Sequence, residues 1–95
     1  MTYEELLVLA RRYEGHVLTT VTGKPFTVGV YLDCPFFTPG SSCRGQSDGR
    51  KAAQAFVERY NETGSLKPGD YGKVTRNASY YVALLIQAGR DARSA

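Results

Sequence analysis

The chain predicts an α+β fold, a three-stranded antiparallel meander packed against one N-terminal helix and two C-terminal helices in the order αβββαα. Three observations lead there. Thr2-Tyr3-Glu4-Glu5 has the spacing of a capping box just before the apolar run Leu6 to Ala10. Phe26, Val28, Val30 and Leu32 alternate with Thr27, Gly29 and Tyr31, the period of a strand with one buried face. Past residue 48 the apolar spacing changes to three and four, the period of helices. Strands followed by helices favour helices gathered on one face of an antiparallel sheet.

The first helix is expected from Thr2 to about Glu14, with Arg11 and Arg12 at its negative end and Gly15 as the left-handed stop. Its centre is apolar nearly all round, so burial on more than one side is expected. Val17 to Thr22 and Phe26 to Leu32 form a hairpin across Gly23-Lys24-Pro25. Asp33-Cys34-Pro35 reads as a turn, and Phe36 to Thr38 as a short edge strand flanked by prolines. A Gly/Ser-rich loop at about 39–47 leads into a helix from about Asp48 to Glu62, stopped by Gly64. Asp70 can cap the last helix. Tyr71, Val74, Ala78, Tyr81 and Leu85 fall on one face, and a break near Thr75 with that residue as a second cap is the alternative. The tail at 90–95 is polar and expected to fray.

Ninety-five residues suit one domain, 1–95, with a core of thin margin. Twelve Lys and Arg against nine Asp and Glu give a formal charge of +3, which permits an acidic partner without requiring one. No apolar run is long enough to span a membrane, and acids at Glu4 and Glu5 do not suit a signal peptide, so the expected compartment is the cytoplasm. Cys34 and Cys43 are then expected as thiols, with a disulfide the alternative on export. With one histidine they do not supply a zinc site, and no metal or cofactor is expected.

Two stretches carry the chemistry of anion binding. Ser41, Ser42, Arg44, Arg50 and Lys51 lie in the Gly/Ser loop and the helix start after it, where backbone N–H groups and Arg can hold a phosphate or carboxylate. The phosphate-loop pattern of nucleotide hydrolases is absent. Lys73, Arg76 and Asn77 form the second stretch, where Arg and Asn could read bases and Lys the backbone. The connection Thr63 to Gly69 is longer than the usual turn of a helix-turn-helix, which counts against that motif. The ordinary reading of both is structural: a solvated loop, and a capped helix start.

The apolar helices suggest a second kind of partner. Leu7 and Leu9 in the first helix, with Tyr80, Leu84 and Ile86 in the last, could build a homodimer or other protein interface, or could simply be core. A third reading is a small-ligand pocket lined by Phe26, Tyr31, Phe36 and Tyr81. His16 and Cys34 could form a base and nucleophile, but nothing in their spacing brings them together. No catalytic motif is present. The expectation is a non-catalytic binding module for an anionic partner, nucleic acid foremost.

Overall fold

The computed structural model describes residues 1–40, 45, 47 and 49–94. Helix α1 spans Tyr3–Arg12. The Thr2 hydroxyl accepts from the Glu5 N–H at 3.1 Å, and the Glu5 carboxylate accepts from the Thr2 N–H at 3.1 Å. This reciprocal pair starts the helix where the sequence places it. Its end comes two residues before Glu14, and Gly15 follows at φ +85°. One face is buried, formed by Tyr3, Leu6, Leu7 and Ala10, while Val8 is 54% exposed. Burial on several sides is therefore not what this helix does. A single amphipathic face serves it.

Strand β1 covers Val17–Thr19, β2 Pro25–Tyr31 and β3 Cys34–Pro39, in spatial order β1-β2-β3 and antiparallel throughout. β1 is shorter than the expected Val17 to Thr22. Thr20 ends it, because its N–H donates to the Lys24 carbonyl at 2.9 Å and its hydroxyl accepts from the Lys24 N–H at 3.1 Å. Serine and threonine hydroxyls compete with the ladder for backbone donors in this way.

The second turn also shifts. Leu32 and Asp33, at φ 51° and 56°, make a two-residue hairpin turn, so Cys34 and Pro35 belong to β3. Two positive φ angles match the right-handed strand twist, yet leucine does not favour that region. Tertiary contacts hold the turn. The Tyr3 hydroxyl donates to the Asp33 carbonyl at 2.6 Å, and Arg11 meets the Asp33 carboxylate at 2.7 Å.

Helix α2 covers Gly49–Thr63 and stops at Gly64, φ +62°. A 3₁₀ turn at Pro68–Tyr71 follows, and helix α3 spans Ala78–Ser94. The last helical region is thus broken, the alternative the sequence allowed. Thr75 Oγ1 accepts from the Asn77 N–H at 3.0 Å, and the Asn77 carbonyl accepts from the Tyr80 and Tyr81 N–H groups. The polar tail continues α3 among the described residues. It is helical to Ser94, and the Tyr13 hydroxyl and the Gln87 amide both donate to Asp91.

α1 lies against β2 and β3, α2 against β3, and α3 against β1. Phe26 and Val28 of β2 and Phe37 of β3 face the helices and are buried. The core between the layers is largely aromatic. The Phe37 ring centroid lies 5.8, 5.3 and 5.1 Å from those of Phe26, Tyr80 and Tyr81. Tyr81 also stacks on Phe56 at 4.8 Å, and Phe56 meets Tyr71 at 4.5 Å. On the outer sheet face, Gly45 lies over Phe36 so closely that an added Cβ would fall 1.8 Å from the ring, so only glycine fits.

Phe37→Ala should cost about 3–5 kcal/mol, since the cavity opens among three other rings. Urea denaturation followed by circular dichroism measures it, and a loss below about 1 kcal/mol would contradict this packing.

Candidate functional site

The segment between α2 and α3 is fixed from within. Tyr71 is fully buried, and its hydroxyl donates to the Ser65 carbonyl at 2.6 Å. The Val74 and Thr75 N–H groups both return to the Tyr71 carbonyl, at 2.9 and 3.0 Å. This winding leaves Gly72, Lys73 and Arg76 at the surface. Two concavities adjoin there. One, of about 570 Å³, is lined by Arg59, Gly69, Asp70, Gly72, Lys73 and Val74. The other, of about 350 Å³, is lined by Ala52, Gly72, Lys73, Val74, Thr75 and Arg76. They share Gly72, Lys73 and Val74, and Ala52 and Arg59 lie two turns apart on one side of α2.

The result is an open strip with Arg59, Lys73 and Arg76 against one carboxylate, Asp70. That carboxylate already accepts from the Ser65 hydroxyl. Arg59 lies 3.9 Å from Glu62, whereas among the described residues Lys73 and Arg76 enter no ion pair. The strip therefore presents net positive charge to solvent.

The other anion candidates do not join it. Arg50 sits two residues before Ala52, about 200° around the helix. Its guanidinium lies 4.8 Å from the Tyr3 ring centroid and 3.7 Å from Glu4. With Cys34, Ser47 and Gly49 it lines a separate cavity of about 430 Å³. Lys51 is exposed on α2. Ser41, Ser42 and Arg44, with Cys43, lie outside the described residues. Asn77 is 3% exposed, which corrects its assignment to base reading. Its backbone starts α3. Arg59 was not among the expected contacts, although its period placed it on the same stripe of α2 as Ala52 and Phe56.

The expected apolar interface also needs correction. Leu7 and Leu84 are core residues, at 9% and 0% exposure. Leu9, Tyr80 and Ile86 are half-buried and pack against the same core. The proposed small-ligand pocket is divided by the sheet itself. Phe26 and Tyr81 are buried on the helix side, while Tyr31 and Phe36 pair on the outer face at 5.8 Å. His16 precedes β1 and Cys34 opens β3, with β2 between them, about 10 Å across at the usual strand spacing. Among the described residues no three His, Cys, Asp or Glu side chains are grouped to hold a metal, and no helix is long and apolar enough to cross a membrane.

Tyr3 and Tyr13 are perturbed. Burial, reinforced by the neighbouring Cys34 thiol and opposed by Arg50, pushes Tyr3 up to about 12. The hydrogen bond to the Asp91 carboxylate, and then burial, raises Tyr13.

Comparison with protein-family models, with curated proteins and with solved structures finds no match for this chain.

Leu84→Glu should yield an unfolded monomer, because it buries an unpaired charge. A folded variant in sedimentation and circular dichroism would place Leu84 outside the core. Tyr3 gives a pH signature. Its proton is held more tightly in the folded state than in the unfolded chain, where the ordinary value is 10.0. Its stabilising contribution is complete below that pH and is lost as pH rises towards about 12. Urea midpoints measured across this range should fall less steeply for Tyr3→Phe than for the parent, and equal slopes would remove Tyr3 from the account.

Proposed function

We propose that the chain is a non-catalytic binding module whose strip of Arg59, Lys73 and Arg76 takes an anionic partner, nucleic acid foremost. The observation that carries this reading is the pair of adjoining concavities lined by three cations and one carboxylate, in which Lys73 and Arg76 enter no ion pair among the described residues while Arg59 faces Glu62. The cations are spread along an open strip and do not converge on one enclosed point. That spacing suits an extended polyanion better than a small ion. Lys73 supplies a point charge and the two arginines supply planar forks that match phosphate oxygens.

The burial of Asn77 shapes the expectation further. Without it, the strip has cations for the phosphate backbone but lacks the side chain best suited to adenine. Binding should therefore depend weakly on sequence. The cytoplasm suits this reading, since the free thiol of Cys34 persists in reducing surroundings.

Fluorescence anisotropy with mixed-sequence duplex DNA tests it. Affinity should be micromolar at about 50 mM salt and fall steeply by about 200 mM as counterions are released. Lys73→Ala with Arg76→Ala should reduce the slope of log K against log salt by about 1.8. Arg50→Ala, on the other side of α2, should leave it unchanged. A parent slope retained in the double variant would remove the strip from the interface.

A further inference from the structure

The two edges of the sheet are not equivalent. On β3, the Gly40 N–H donates to the Pro25 carbonyl at 2.9 Å, so residue 40 bonds inward. By the alternation of an antiparallel ladder, Pro39, Phe37 and Pro35 then turn their backbone nitrogens outward. Two of these three positions are prolines and have no N–H to offer. Prolines at outward positions are how natural sheets close an edge.

β1 has no such protection. The Val28 N–H donates to the His16 carbonyl at 3.0 Å, and the Thr20 N–H to the Lys24 carbonyl at 2.9 Å. The His16 carbonyl, Leu18 and Thr20 therefore bond inward, and the N–H and C=O groups of Val17 and Thr19 point away from the sheet. Val17 and Val21 are 66% and 56% exposed there, as apolar β-branched residues on an open edge.

A groove of about 390 Å³ runs along this edge. Its floor and one wall are the chain from Val17 to Val21, and its other wall is α3, through Ala83, Ile86, Gln87 and Arg90. Those four residues follow the spacing 0, 3, 4 and 7 of a single helix stripe. A strand added to β1 would place alternate side chains between β1 and α3, against Ala83 and Ile86. Among the described residues Arg90 is the one charged side chain lining the groove. It complements a carboxylate on the occupant.

We propose that the free edge of β1 and the groove beside α3 form a strand-addition site for an extended peptide of a partner protein, one that carries an apolar side chain and a carboxylate. Main-chain bonds to Val17 and Thr19 supply register. Ile86 and Ala83 take the apolar side chain, and Arg90 takes the carboxylate. The site is independent of the basic strip.

The test uses the whole chain and a probe obtained from it. Short random peptides are selected by display on the folded protein, and the best is synthesised with a fluorescent label and titrated by anisotropy. The expected peptide contains Asp, Glu or a free C-terminus near an apolar residue. Methylating its backbone nitrogens one at a time should weaken binding at every second residue, because only alternate N–H groups meet β1. Thr19→Pro should weaken binding about tenfold, with a melting temperature near the parent's, since that N–H makes no bond within the sheet. Arg90→Glu should weaken the peptide but not its carboxamide analogue. The proposal is overturned if no peptide is enriched, if methylation shows no alternation, or if folded Thr19→Pro binds like the parent. It is also overturned if the free protein sediments as a dimer that Thr19→Pro dissociates, for the occupant is then a second copy. Should Thr19→Pro fail to fold, the methylation pattern alone decides.

Discussion

The packing of Tyr81 between Phe37 and Phe56 is the contact on which the remaining arrangement depends. Phe37 belongs to the sheet, Phe56 to α2 and Tyr81 to α3, so one ring ties three elements together. Phe56 passes the contact on to Tyr71 of the 3₁₀ turn. In a chain this short the buried apolar area is small, and each aromatic ring supplies more of it than any aliphatic residue. The edge-on and offset geometries also fix orientation, which aliphatic packing does less strictly. The position of the segment from Gly69 to Arg76 follows from this chain of rings. Tyr71 cannot leave Phe56 without opening a cavity, and the cations two and five residues later are carried to the surface by the winding that follows.

The same constraint accounts for the broken last helix. A continuous helix from Asp70 would keep Tyr71 and Tyr81 on one face, but ten residues at 1.5 Å per residue would separate them by about 15 Å. Both rings instead touch Phe56, at 4.5 and 4.8 Å between centroids. The chain must fold back between them. Gly72, the hydroxyl of Thr75 and the backbone of Asn77 make that reversal, which explains why a polar pair is buried there at 7% and 3% exposure. The apparent base-reading Arg-Asn pair is thus half surface and half structural.

Local chemistry made much of the fold legible. The capping box, the alternation in β2, and glycines at positions 15 and 64 each act within a few residues, and each element appears near its expected bounds. The departures arise where a distant partner decides. The Leu32-Asp33 turn is unfavourable for leucine and is held by Tyr3 and Arg11 from α1. β1 ends early because one hydroxyl captures its turn. The continued helix at 90–94 depends on Tyr13, far away in sequence. The candidate site was legible only in part. Lys73 and Arg76 are three residues apart in sequence, but Arg59 joins them through the fold, and Arg50 lies apart from them because two residues reverse the side of a helix.

α3 runs from just beyond one proposed surface to the other. Its first turn follows directly on Arg76, and its stripe from Ala83 to Arg90 walls the groove beside β1. From Ala78 the helix rises about 8 Å to Ala83, where the groove begins, and about 18 Å to Arg90, where it ends. The helix is anchored at two points, by Tyr81 in the aromatic core and by the Tyr13 hydroxyl at Asp91. The spacing between the basic strip and the groove is therefore a property of α3 itself.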